Sequence, residues 1–174
     1  MKRLILLLLL VTTNHLYAQQ HTLPRWFTQA FNKQSLDKKY LLRTYHKLTF
    51  LEADFNGDGV KDVVAMILEK KSQKIGLLLI HGSTNKVTVF GAGVKVGKPG
   101  FDDSDDLKWI DGWEVYKEKV AYETKFDNGD IIGSIKRRLI NKAISIWENQ
   151  DGAPLAGGLI TWNGKKYIWI HQGE

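Results

Sequence analysis

Cysteine is absent from the 174 residues of this chain. Disulfide cross-links are therefore excluded, even in a compartment that would permit them. A lipid anchor on a cysteine that follows a signal segment is excluded too. If the fold needs a staple, a bound metal ion is the one left. Arginine-rich runs are also missing, so the basic balance is a weak argument for nucleic acid; a modest excess of positive charge is ordinarily a solvated surface. No apolar run reaches the roughly 20 residues needed to span a bilayer. Beyond residue 18 the histidines His21, His46, His81 and His171 are scattered, with neither H-x-x-x-H nor H-E-x-x-H among them. G-x-S-x-G is absent, which removes the serine-hydrolase elbow. The glycine-rich stretch "GAGVKVGKPG" (91–100) fails the phosphate-loop spacing, because Pro99 stands where Ser or Thr is required. No enzyme active site can be read from the residues, and the expectation is a protein that is not an enzyme.

What is present begins with an export signal. Lys2 and Arg3 precede "LILLLLLV" (4–11), then polar residues, then "LYA" before Gln19. A basic start, a short apolar core and a small residue at the cleavage point make a secretory signal peptide over 1–18. The expected mature protein is residues 19–174, one domain, periplasmic or secreted, with no stable membrane anchor and no nucleic-acid partner. Loss of Lys2 and Arg3 lowers the formal charge from +6 to +4.

Periodicity then organises the chain. "LPRWFTQAFNKQ" (23–34) reads as an amphipathic helix, with Trp26, Phe27, Ala30 and Phe31 on one face. Residues 35–46 are ambiguous and could form a second short helix. From residue 47 the pattern is that of strands. "VVAMILE" (63–69) is apolar throughout, as a central strand buried on both faces would be. Further strands are expected over 75–82 and 86–93, two within 109–125, two within 131–148, and a closing hairpin over 157–172. Asn163-Gly164 is the sequence that a two-residue type I′ turn favours, since both turn positions need positive φ. That turn would pair Trp162 with Lys165 and Ile160 with Tyr167. The expected fold class is mainly β (α+β): an antiparallel sheet domain with an N-terminal helix packed on it.

The strongest chemical signal is "DFNGDGVKD", residues 54–62. Counting from Asp54, oxygen-bearing residues fall at positions one (Asp54), three (Asn56), five (Asp58) and nine (Asp62). Gly59 occupies position six, where a sharp turn leaves no room for a side chain, and Val60 the seventh, which contributes a carbonyl. This is the opening of an EF-hand-type calcium loop. No thiol or imidazole lies beside it in sequence, which argues against zinc or copper. Position twelve is Ala65 rather than glutamate, so the expected affinity is weak, with Kd roughly 10⁻⁴–10⁻³ M as in extracellular modules. The plainer alternative is an Asx/Gly turn with solvated aspartates, in which three close carboxylates would repel one another.

With strands on both sides, "ADFNGDGVKDVVAMI" resembles the FG-GAP/VCBS (integrin α-type) repeats, whose loops carry D-x-N-x-D-G-x-x-D before a hydrophobic strand. The resemblance covers about 20 residues and implies calcium held by Asp54, Asn56, Asp58, the Val60 carbonyl and Asp62. It implies nothing about activity. One such loop falls short of the four or more blades of a propeller. More loosely, the layout resembles small exported bacterial proteins of unknown function that have one such loop and a "WNGKKYIWIHQGE"-like C-terminal hairpin.

Four further features carry weaker signals. Asp102, Asp103, Asp105 and Asp106 lack glycine and alternate spacing, so a solvated acidic loop is expected, with a basic partner or second cation site as alternatives. "KFDNGD" (125–130) echoes the acidic loop faintly without its spacing. Glu52 and Asp111 could approach as a glycosidase pair, and Trp109, Trp113, Trp147, Trp162 and Trp169 could form an aromatic platform, although strand packing is their default role. Together these readings predict an exported, calcium-stabilised binding module for an unknown protein or glycan. The alternatives are a periplasmic enzyme inhibitor or immunity protein and, less favoured, a carbohydrate-active hydrolase.

Overall fold

A computed structural model describes residues 22–43, 49–96 and 104–173. The expected signal peptide over 1–18, His21, His46, Asp102 and Asp103 lie outside the described residues. Among the described residues, helix is confined to α1 (Arg25–Lys33) and α2 (Leu36–Lys39). The remaining elements are strands: β1 (Tyr40–Arg43), β2 (Phe50–Ala53), β3 (Asp62–Glu69), β4 (Ile75–Ile80), β5 (Val87–Gly91), β6 (Gly112–Tyr116), β7 (Val120–Asp127), β8 (Asp130–Arg138), β9 (Ala143–Gln150), β10 (Ala153–Trp162) and β11 (Tyr167–Gly173). Every pairing is antiparallel, as short turns between successive strands require. The protein is therefore β-rich.

Three sheets result. The first runs β1-β3-β4-β5, with β2 also on β3. One edge of β3 is shared: β2 pairs with Asp62–Ala65 and β1 with Met66–Glu69. The second sheet runs β11-β10-β9-β6, and β7 and β8 form a separate ribbon. Of residues 35–46, the described part up to Arg43 holds one turn of helix and then a strand. Tyr40 turns inward, and the Lys39 carbonyl accepts from Lys70 N at 2.9 Å.

β3 explains the layering. All but its last residue are buried, and its side chains alternate between two clusters. Val64 and Met66 join Leu77, Leu79 and Phe55 against Trp113, Ile144, Ile146 and Ile160 of the second sheet. Val63, Ala65 and Ile67 join Leu78 and Ile80 on the opposite face, in a cluster with Phe27, Ala30 and Phe31 of α1. A third cluster, Ala121, Leu139, Ala143, Leu159 and Ile170, lies on the far face of the second sheet, beneath the β7–β8 ribbon. Each fully buried side chain of this size contributes about 1.5–3 kcal/mol.

The closing hairpin differs from the sequence reading. Trp162 pairs with Tyr167 and Ile160 with Trp169, so the loop is four residues long rather than two. Gly164 has φ +94°, but Asn163 does not have positive φ. Asn163 instead turns its Oδ1 to accept from Lys165 N and Lys166 N at 3.0 and 2.9 Å, an Asx-type closure. A shift of two residues leaves every side chain on its own face. The turn expected there occurs elsewhere: Asn128 (φ 51°) and Gly129 (φ 94°) join β7 to β8 with Asp127 opposite Asp130. "KFDNGD" is therefore a hairpin turn. β8 is exposed along its whole length, and its ladder with β7 is interrupted by a bulge at Ile132.

Candidate functional site

The acidic loop joins β2 to β3, and its aspartates shape the backbone first. Asp54 accepts from Gly57 N at 2.6 Å and Gly59 N at 2.9 Å, one on each carboxylate oxygen. Asn56 Oδ1 accepts from Asp58 N at 3.0 Å, and Asp58 Oδ1 from Val60 N at 2.9 Å. Gly57 and Gly59, at φ 81° and 84°, make the reversals this winding needs. Asp58 Oδ2 also accepts from Asn56 Nδ2 and from the Ser83 hydroxyl. The hydrogen bond from Ser83, then those from Asn56 and Val60 N, holds the Asp58 carboxyl below its ordinary value of 3.8.

Asp62 is the most constrained of the set. It opens β3 with no solvent exposure. Its Oδ2 accepts from Phe55 N at 3.0 Å, its Oδ1 from Gly82 N at 3.1 Å, and His81 Nδ1 lies 3.2 Å from Oδ1. One buried carboxylate therefore ties the loop to the turn after β4. Gly82 permits that approach, since a Cβ there would sit 2.1 Å from the Lys61 carbonyl oxygen.

His81, Ser83 and the tip of the closing hairpin complete the site, and sequence reasoning missed all three. His81 is buried and stacks on Tyr167, with ring centroids 5.8 Å apart, while Trp162 meets both rings edge-on. The only local hint was a histidine closing an apolar strand. The Tyr167 hydroxyl is buried with no hydrogen-bond partner. Burial, and then the charges of Asp62, Asp54 and Asp58, push its pKa well above the ordinary phenol value.

Does this donor set fit a calcium ion? Among the described residues, no three His, Asp or Glu side chains converge as a ready metal cluster. The capacity is nonetheless present. A carboxylate offers about four acceptor positions. Asp54 uses two of them, leaving two, and Asp58 and Asp62 each keep one on the oxygen that takes a single hydrogen bond. A second sign lies at His81. Its Nδ1 is 2.9 Å from Asn56 Nδ2 as well as 3.2 Å from Asp62 Oδ1. One nitrogen cannot accept from an amide and donate to a carboxylate at once. Reversing the Asn56 amide would not resolve this, because its nitrogen would then face Asp58 N, which its oxygen now accepts from at 3.0 Å. The crowding of polar groups here is that of a site built around a central charge. The residues fit a hard, oxygen-seeking ion.

The other candidate residues separate. Glu52 pairs with Lys61 at 2.9 Å, and Asp111 accepts from Asn149 N at 2.8 Å, so each is engaged apart from the other. Trp113 is core, and Trp147 lies across Gly112. Trp109 and Trp169 line a cleft of about 350 Å³ with Glu148 and His171.

Asp105 and Asp106 are not a free acidic face. Asp105 pairs with Lys74, and Asp106 Oδ1 accepts from Ile75 N at 3.0 Å, fastening this segment to the start of β4. Asp106→Ala is expected to lower stability by about 1–2 kcal/mol, because the partly buried Ile75 N–H loses its acceptor. Urea unfolding measures this, and a change within error would return the segment to a solvated loop.

No family model matches the chain, and neither does any curated protein or any solved structure.

Proposed function

We propose that residues 54–62 bind a calcium ion and that the protein is an exported, calcium-stabilised binding module. The observation that carries this reading is the crowding of Asp54, Asn56, Asp58 and Asp62 on one turn beneath a buried tyrosine hydroxyl that has no partner. Asp54, Asn56, Asp58, the Val60 carbonyl and Asp62 would hold the ion, which would supply charge neutralisation and no chemistry. The helix α1 has a structural part in this reading, as cover for the back of the first sheet. Export supplies a compartment in which a weak calcium site can fill.

A second reading, an inhibitor that docks on an enzyme, is favoured by the β7–β8 ribbon, which exposes Tyr122, Ile131, Ile132 and Ile135. Recovery of the protein from the native envelope tests both readings. The expected N-terminus is Gln19, and ligands should co-purify in calcium and be lost in chelator. An N-terminus at Met1 overturns export. A single enzyme captured at one-to-one stoichiometry selects the inhibitor.

A further inference from the structure

The geometry points to a second binding site, for a small amphipathic monoanion, in the cleft between the end of β8 and the outer face of the closing hairpin. The inference rests on the binding-module reading but not on the calcium ion. The cleft holds about 400 Å³, within the roughly 300–1,000 Å³ typical of small-molecule sites. Leu139, Ile140, Ile168 and Ile170 make its apolar wall. Ile140 is 57% exposed and reaches toward Gly164 at the hairpin tip. A large side chain standing over an open apolar cleft is poised to be covered by a ligand.

The polar groups set the ligand's charge. Arg137 is neutralised by Glu123, which its Nε contacts at 2.6 Å. Arg138 also lines the cleft and has no ion-pair partner among the described residues. One unmatched guanidinium at the rim calls for one negative charge, and a carboxylate matches its fork of donors. The wall also includes Thr161, only 3% exposed, whose hydroxyl is buried without a hydrogen-bond partner. Buried polar groups ordinarily have partners, and an ordered ligand can supply the missing one. An apolar body with a single carboxylate meets all three requirements.

Octanoate is the probe, with octanol and octylammonium as neutral and cationic controls. Binding to the full mature chain is followed by titration calorimetry and by the methyl resonances of Ile140, Ile168 and Ile170. Octanoate is expected to bind and to shift those methyls. Octanol should bind about tenfold more weakly or worse, and octylammonium not at all. Arg138→Gln should weaken octanoate about tenfold or more, the loss expected of a charge-assisted hydrogen bond. Arg138→Lys should keep most of the affinity, and Thr161→Val should weaken binding while folding stays intact. Equal binding of octanol and octanoate, an unchanged affinity in Arg138→Gln, or no methyl shift overturns the proposal. Such a result leaves the calcium response of the 54–62 loop untouched, so failure here is distinguishable from failure of the calcium-stabilised reading.

Discussion

Asp62→Ala is expected to cost about 3–5 kcal/mol, the sum for several buried groups that lose one shared acceptor. The physical reason is the number of groups left behind. Phe55 N, Gly82 N and His81 Nδ1 all face this carboxylate at 3.0–3.2 Å. Water cannot replace it at a residue with no solvent exposure. Each stranded donor costs about 1–3 kcal/mol. The damage spreads into packing, because Phe55 N carries the Phe55 ring into the central core. Asp54→Ala is the control. It also removes two backbone hydrogen bonds, but they are exposed and water can take them over, so its cost should stay near 1 kcal/mol. Urea unfolding of both variants in chelator decides the matter. Equal losses would show that Asp62 is no more than another loop aspartate.

Calcium should raise the melting temperature of the wild-type protein by roughly 5–10 °C at one hundred times Kd. A ligand that binds only the folded state contributes about 2.7 kcal/mol at that excess, and in a domain of this size each kcal/mol moves the transition by roughly 2–4 °C. With Kd near a millimolar, accessible concentrations will show the lower part of that range. Asp58→Ala should abolish the shift, since Asp58 stands at the centre of the ligand set. Acid should abolish it as well. The Asp58 carboxyl lies below 3.8 when folded, so the stability it confers is present above the unfolded value and is lost as pH falls through the lower, folded one. Identical melting of wild type and Asp58→Ala, with and without calcium, would falsify the cation reading and leave an Asx/Gly turn.

Legibility in the sequence followed contact range. The unbroken apolar run of 63–69 marked β3 as central because a strand covered on both faces has no polar face to show. The 54–62 loop was legible because its turns are local: each of its backbone hydrogen bonds to Asp54, Asn56 or Asp58 spans five residues or fewer. The partners of that loop were not. His81 and Ser83 arrive from the turn after β4, 25 residues from Asn56 and Asp58, and Tyr167 comes from the last hairpin. No spacing rule links positions that only tertiary structure brings together. Asp105 and Asp106 were misread for the same reason, because their partners Lys74 and Ile75 stand 31 residues away. The Asn-Gly pairs at 128–129 and 163–164, each in a short hairpin loop, show a further limit. Both suit a type I′ turn, yet only Asn128-Gly129 adopts positive φ at both positions; at Asn163 the side chain satisfies the backbone by another route.

The bulge at Ile132 bears on how these molecules behave in a crowd. β8 is nine residues long, fully exposed, and paired on one side only among the described strands. A straight edge carrying Ile131, Ile132 and Ile135 would be a template on which one molecule after another could add a strand and grow a fibre. The bulge bends that edge out of register, and the consecutive charges of Lys136, Arg137 and Arg138 make any like-oriented neighbour repel. The extra residue at 132 thus works against edge-to-edge pairing between separate molecules, the association that a regular, unbulged edge would invite.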